Sequence, residues 1–478
     1  MKKLVALGAA MVVCTSSFAN IMTLAWTASI PNTMTGPMTV KITSDHDAYV
    51  LQQVTGMGPA YAQYVDYATG SVAPTGIVGT LHGSGFSSAV PSDITLAGTY
   101  RVMLCQQSGP NGVLIGGFTQ TSTASTLAWT KLISPTGSIN FFPLGIEAGH
   151  PATGNPYVFA AWALYDTSTY SFTGYTVAKI DATNGTILAQ ESGPQIAGTY
   201  SPPPCNQTYS ATSPPSQRVY QQAKKIIYVN NSDTVYLVGR LNTSTGPLAF
   251  LSRWSGTGTT TTDVGLTGGA SPNWFNAVDG DGVNAYFGGI GWDSHDFPRT
   301  YWGSASPTGA ASAVLVSPIY SPPYPLNNDE CVSLAYSVDP ANNHAHVHMA
   351  SFALGPNLGA TNVYSWDFAT GYDGIRTGAI PTNTTTYPGG SLMTIDTLHW
   401  NDPTYGYNGI DLSGYNPSTS SPLIKGLYDP GLFDVINPIL PLTPRSFKGF
   451  ASDMSGAYPG VFVLSTNTMG NPILLKYN

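Results

Sequence analysis

A short hairpin recurs along this chain, and its repetition constrains the fold more than any single motif does. An alternating, aromatic-rich strand runs into a glycine-closed turn at Tyr64-Val-Asp-Tyr-Ala-Thr-Gly70, Lys131-Leu-Ile-Ser-Pro-Thr-Gly137 and Lys179-Ile-Asp-Ala-Thr-Asn-Gly185. Further copies are Arg253-Trp-Ser-Gly-Thr-Gly258, Gly303-Ser-Ala-Ser-Pro-Thr-Gly309 and Ser365-Trp-Asp-Phe-Ala-Thr-Gly371, with a looser one at Gly426-Leu-Tyr-Asp-Pro-Gly431. Ile473-Leu-Leu-Lys-Tyr-Asn478 ends where the next turn would begin. The turn chemistry is local: Asp or Ser hydrogen-bonds the backbone two residues on, and Gly takes the positive φ that closes the turn.

Upstream of each hairpin comes a hydrophobic strand, as in Asp47-Ala-Tyr-Val-Leu51, Asn111-Gly-Val-Leu-Ile-Gly-Gly117 and Pro156-Tyr-Val-Phe-Ala-Ala161. It recurs at Thr234–Gly239, Asn284–Gly289, Ala345–Ala350 and Gly460–Leu464. Continuous apolar runs of this length suit strands buried on both faces. Eight copies at a mean spacing of about 58 residues leave room for four antiparallel strands each, the signature of a β-propeller. The expected fold is therefore all-β: one propeller of eight four-stranded blades. Seven blades with a degenerate insertion at 387–435 is the alternative. The chain stops after a third strand, so Ile21–Ala28 is expected to supply the missing outer strand and close the ring.

Composition agrees. Only 9% of residues are charged and 11% are aromatic, a poor recipe for exposed helices and for disorder alike. With 17 Lys and Arg against 25 Asp and Glu, the chain lacks the basic surface that a nucleic-acid partner requires. Lys2 and Lys3, the apolar run Leu4–Val13 and Ser17-Phe-Ala19 have the layout of a cleaved signal peptide. Residues 1–19 are read as that leader and 20–478 as the propeller. Exported location in the periplasm, at the cell surface or outside the cell follows. No later stretch is long and apolar enough for a transmembrane helix. Cys105, Cys205 and Cys331 remain after cleavage, with no zinc or haem spacing. A Cys205–Cys331 disulfide and buried free thiols both fit.

Two repeat families are resembled. Val177-Ala-Lys-Ile-Asp-Ala-Thr-Asn-Gly-Thr-Ile-Leu188 looks like the repeat of the pyrroloquinoline-quinone-like propellers, and Asp279-Gly-Asp-Gly-Val-Asn-Ala-Tyr-Phe-Gly-Gly289 resembles that of bacterial seven-bladed surface propellers. The quinoprotein repeat carries a tryptophan after its turn that docks neighbouring blades. Ala189 and Gln190 stand there in this chain, and the other copies lack it too. The resemblance implies the fold class and does not extend to a quinone.

In a propeller, the first-to-second and third-to-fourth strand turns share one face, and most acids fall there. Asp279 and Asp281, with Asn284, are the candidates for Ca²⁺, which wants several oxygen ligands. His344-Ala-His346-Val-His348 puts three imidazoles on one side of a strand, a geometry for Zn²⁺ or Cu²⁺, although packed core histidines fit the same pattern. The opposite face, built from second-to-third loops and inter-blade connections, is where propeller ligands more often bind. There Trp292, Asp293, His295, Asp296 and Arg299 combine aromatic, acid/base and cationic groups, and Tyr320 and Tyr324 follow in the next connection. No nucleophile elbow, phosphate loop or zinc-protease motif occurs. The expected function is a non-catalytic recognition or surface-structural propeller that binds polysaccharide or a surface protein through aromatic loops such as 165–175 and 200–209. An exported metal- or quinone-dependent enzyme acting on sugars or alcohols is the alternative.

Overall fold

The computed structural model describes residues 24–31, 38–53, 60–73, 88–108, 111–151, 153–203, 224–255, 261–264, 272–292, 298–308, 312–315, 328–338, 345–354, 361–369, 371–376, 394–398, 409–416, 421–428, 431–436, 446–453, 460–467, 469 and 471–477. Among the described residues the regular structure is β-strand apart from one short 3-10 turn, and no helix is long and apolar enough to cross a membrane.

The described strands pair into eight antiparallel sheets, formed in chain order save for β1 (Leu24–Ser29). The first sheet holds β2 (Met38–Ile42), β3 (Ala48–Gln53) and β4 (Ala60–Val65). The second holds β5 (Ser88–Ala97), β6 (Tyr100–Ser108), β7 (Val113–Gln120) and β8 (Ser125–Ile133). The third is β9 (Ile139–Gly149), β10 (Tyr157–Asp166), β11 (Ser171–Asp181) and β12 (Ile187–Gly193). In the fourth, β13 (Thr199–Ser201) and β14 (Ile226–Val229) share one edge of β15 (Thr234–Thr243), followed by β16 (Gly246–Ser255) and β17 (Thr261–Val264). The fifth is β18 (Pro272–Gly280), β19 (Ala285–Trp292), β20 (Pro298–Ala305) and β21 (Ser312–Leu315). The sixth is β22 (Asn328–Val338), β23 (Ala345–Leu354), β24 (Thr361–Asp367) and β25 (Gly371–Arg376). The seventh is β26 (Thr394–Leu398), β27 (Gly409–Asn416), β28 (Ser421–Tyr428) and β29 (Gly431–Ile436). The eighth is β30 (Ser446–Asp453), β31 (Gly460–Thr466) and β32 (Pro472–Tyr477), and β1 pairs antiparallel with β32 as its fourth strand.

Strand position explains strand sequence. β10 is buried at seven consecutive residues from Tyr157 to Ala163 because sheets cover both its faces. β12, an outer strand, alternates between partly buried and exposed residues. One assignment needs correction. Lys131–Gly137 links β8 to β9, so it joins two sheets instead of turning between third and fourth strands of one, and Val113–Gly117 belongs to a third strand. The third-to-fourth turn of that sheet is Thr121–Ala124, where Thr121 N–H donates to Ala124 O at 2.8 Å.

The core is a series of apolar layers between consecutive sheets. Phe159, Tyr175, Tyr200, Phe250 and Trp254 fill the layer between the third and fourth sheets. Ala28, Ile30, Phe462, Leu464 and Leu474 pack on Val40, Val50 and Val65, which joins the eighth sheet to the first. Two tryptophans on outer strands pin these layers. Trp129 in β8 donates its Nε1–H to Ala182 O of the next sheet at 2.7 Å, and Trp26 in β1 donates to Tyr67 O at 3.1 Å. Both land on an Asp-to-Gly turn of the following sheet, 181–185 or 66–70. Docking tryptophans are thus present, on the strand of the preceding sheet and not at Ala189 or Gln190.

Candidate functional site

Antiparallel alternation gives the sheets two ends. At one end lie the first-to-second and third-to-fourth turns, and there the described carboxylates are engaged in structural bonds. Asp66 Oδ1 accepts from the Ala68 and Thr69 N–H groups, and Asp181 Oδ1 from Thr183 N–H at 2.8 Å. Asp45 and Asp47 of the first sheet both pair with the guanidinium of Arg101 in the second, whose Nε also donates to Tyr49 Oη at 3.0 Å. Burial first, then the charge of Asp45, push Asp47 up to about 6 against the pull of Arg101. Asp233 of the fourth sheet accepts from Tyr157 Oη of the third at 2.6 Å and pairs with Lys179 at 3.5 Å.

The Ca²⁺ candidates do different work. Asp281 accepts from the Val283 and Asn284 N–H groups at 2.7 and 2.6 Å and from Tyr286 Oη at 2.7 Å. Burial raises its pKa, but these bonds outweigh burial and leave it below the usual carboxylate value. Asp279 turns the other way, accepting from Tyr336 N–H of the sixth sheet at 2.9 Å and facing Lys224 at 3.7 Å. It belongs with charges carried on or beside the first strands of successive sheets. Lys41 pairs with Asp93 at 3.1 Å, and Asp93 also accepts from Ile146 N–H at 3.2 Å. Glu147 is half-buried among them, pushed up to about 7 by burial, with Lys224 opposing that shift. No group of three or more metal-ligating side chains converges among the described residues.

At the other end lie the second-to-third hairpin tips and the connections between sheets. The tip of β10 and β11, Thr167-Ser-Thr-Tyr170, presents Tyr170 at 81% exposure. It is firmly braced. Asp166 Oδ1 accepts from Ser168 N–H at 2.8 Å, from Ser168 Oγ at 2.7 Å and from Ser138 Oγ at 2.7 Å. Those donors hold the Asp166 carboxyl down at about 2. Thr167 N–H and Oγ1 both donate to Ser138 O, at 2.9 and 2.8 Å. Below the tip Tyr165, Phe172 and Phe142 stack edge to face, with centroids 5.1 to 5.7 Å apart.

Tyr170 has φ +54°, the left-handed region. Of the described non-glycine residues with positive φ, the others are His46, Asn111 and Asp233, types that tolerate it. For a tyrosine it costs about 1 kcal/mol. The neighbouring sheet uses the same tip sequence, Thr243-Ser-Thr-Gly246, with glycine at φ +122° where Tyr170 stands. Asp166 pairs with Ser171 as Asn242 pairs with Pro247, but the neighbouring turn is tighter, because Thr243 also pairs with Gly246. That internal match was the sequence signal for this site. Other large apolar side chains exposed at this end are Ile196, Leu248 and Met469.

The remaining candidates fall as follows. Trp292 ends β19 and Arg299 lies in β20, so the backbone carries both to the loop end, while Asp293, His295 and Asp296 lie outside the described residues. Tyr320, Tyr324 and His344 also lie outside them, as do residues 1–23 and Cys205. His346 and His348 alternate with buried Val347 and Met349 on β23, a second strand flanked by β22 and β24; their own side chains are not described. Cys105 is a buried free thiol whose pKa burial raises. Two loop aromatics prove to be core: Tyr175 and Tyr200 are fully buried and pack ring to ring at 5.1 Å.

No protein-family model and no curated protein matches the sequence. Solved structures align with the chain. The Dos1 propeller aligns over 96% of this chain and 95% of its own at 9% identity, with a TM-score of 0.51. The WD40 domain of SCAP from fission yeast aligns over 94% and 97% at 8% identity, with a TM-score of 0.44. The propeller domain of the Trilobed protease from Pyrococcus furiosus aligns over 85% and 99% at 8% identity, with a TM-score of 0.41. The chain has a β-propeller fold.

Proposed function

We propose that this is an exported, eight-bladed β-propeller that binds glycan or protein through its loop end and performs no chemistry of its own. Eight sheets in sequence, the four-stranded sheet at 394–436, and the pairing of β1 with β32 support eight blades closed by the N-terminal strand. The docking of Trp26 and Trp129 on Asp-to-Gly turns supports a blade design similar to that of the quinoprotein repeats. The leader-like residues 1–19 support export.

The observation that carries the binding reading is the highly exposed aromatic at the loop end. Described carboxylates at the turn end are engaged in bonds within and between sheets, while the loop end displays Tyr170 on a braced tip. A rigid aromatic among hydroxyls gives contact area with little ordering cost. The test is retention of the mature protein on immobilised glycans and extracellular proteins. Replacing Tyr170 and Met469 together by Ser is expected to weaken retention about tenfold, roughly 1.4 kcal/mol. Val283→Ser, at the turn end, is expected to leave it unchanged. Equal effects at both ends, or no retention, overturn the reading.

A further inference from the structure

We infer that Tyr170 is the stacking platform of a site for neutral polysaccharide; this rests on the loop-end reading and names its ligand class. Tyr170 holds a backbone angle that favours glycine, and its ring is 81% exposed, so packing returns almost nothing for the strain. The adjacent sheet carries the same Thr-Ser-Thr run on a tighter turn, where Thr243 pairs with Gly246 and glycine takes the positive φ. At 81% exposure, packing against the described residues does not account for a tyrosine there. A contact from outside does.

The tip residues next to Tyr170 in sequence carry hydroxyls, and each makes one internal bond: Thr167 to Ser138 O, Ser168 to Asp166, and Thr169 with Ser171. Its one carboxylate, Asp166, already accepts from three donors. A pyranose offers what this arrangement can recognise: a face of C–H bonds to lie on a ring, and rim hydroxyls that donate to the lone pairs the tip hydroxyls retain. A charged polymer finds no free counter-charge on the tip. A protein partner needs roughly 800 Å² of surface, and a single ring on a hairpin is the footprint of one sugar.

The bonds from the tip to Ser138 and the Tyr165, Phe172 and Phe142 rings beneath fix the platform before the ligand arrives, so a weak stacking contact is not spent on ordering the loop.

The experiment incubates the mature protein with insoluble cellulose, chitin and mannan and measures depletion from solution, beside thermal melts. The natural chain is expected to bind at least one of the three. Tyr170→Gly is expected to weaken that binding about tenfold while melting no lower than the natural chain, and Tyr170→Phe, which keeps the ring, to bind almost as well. Tyr170→Asn, which tolerates the left-handed angle, should behave as the glycine variant does. Binding that survives Tyr170→Gly overturns the site and leaves the loop-end reading standing. Binding to none of the three, with retention on an immobilised protein still lost on changing Tyr170 and Met469, overturns the ligand class alone. Retention on nothing overturns both. A glycine variant that melts lower overturns the strain argument.

Discussion

Gly185 tolerates no side chain, for two independent reasons. Its φ is +75°, and a Cβ built there would lie 2.5 Å from the Trp129 ring. Gly70 repeats the arrangement against Trp26, at φ +70° and 2.7 Å. Gly185→Ala is therefore expected to destabilise the protein by about 2 kcal/mol or more, from left-handed strain and displacement of a docked ring together. Urea denaturation checks it; a loss under 0.5 kcal/mol, within the range of an ordinary surface change, would mean that the ring is not held there. The turn was legible in the sequence, because Asp, Thr and Gly act on their own backbone. The tryptophan that fills it was not, because it arrives from another sheet about 55 residues away.

At the scale of elements, the turns of one sheet are clasped by the next. Asp233 ends a 3-10 turn at φ +47° and gathers Tyr157, Tyr228 and Lys179. Asp233→Ala is expected to cost about 1–3 kcal/mol, since two tyrosine hydroxyls lose their acceptor and an ammonium its partner. Asp233→Asn, which keeps an acceptor oxygen, should recover part of that in the same unfolding measurement. The second strands announced themselves as apolar runs because sheets cover both their faces. Lys131–Gly137 has the turn chemistry of a third-to-fourth hairpin yet joins two sheets. Turn residues report a local bend and say nothing about which strands it connects.

For the whole molecule, the shifted carboxyls set opposite pH dependences. Burial raises Glu147 to about 7 and Asp47 to about 6, so the folded state holds those protons more tightly than the unfolded chain. Their contribution to stability grows as pH falls through these values toward 4 and is lost as pH rises. Asp166, at about 2, and the lowered Asp181 and Asp281 act the other way: they stabilise above the ordinary carboxylate range, and that is lost as pH falls below it. Thermal melts are therefore expected to peak on the acid side of neutrality, near pH 5. Glu147→Gln should flatten the limb between pH 5 and 8, and an unchanged limb would assign it to other groups. Deleting residues 20–30 is expected to abolish the single cooperative transition. It strips β1 from β32 and takes Trp26, Ala28 and Ile30 from the layer between the eighth and first sheets.

The amino-acid sequence alone determined the strand content, the repeat and the turn chemistry, because each depends on residues a few positions apart. It also marked the second strands as continuous apolar runs and pointed to an N-terminal strand, which pairs with β32. Only the tertiary structure decided which tryptophan fills which turn, that Asp279 and Asp281 serve different bonds, and that Tyr175 and Tyr200 are core while Tyr170 is surface. Those outcomes depend on neighbours supplied by the next sheet, and alternation along one strand cannot report what another strand brings against it.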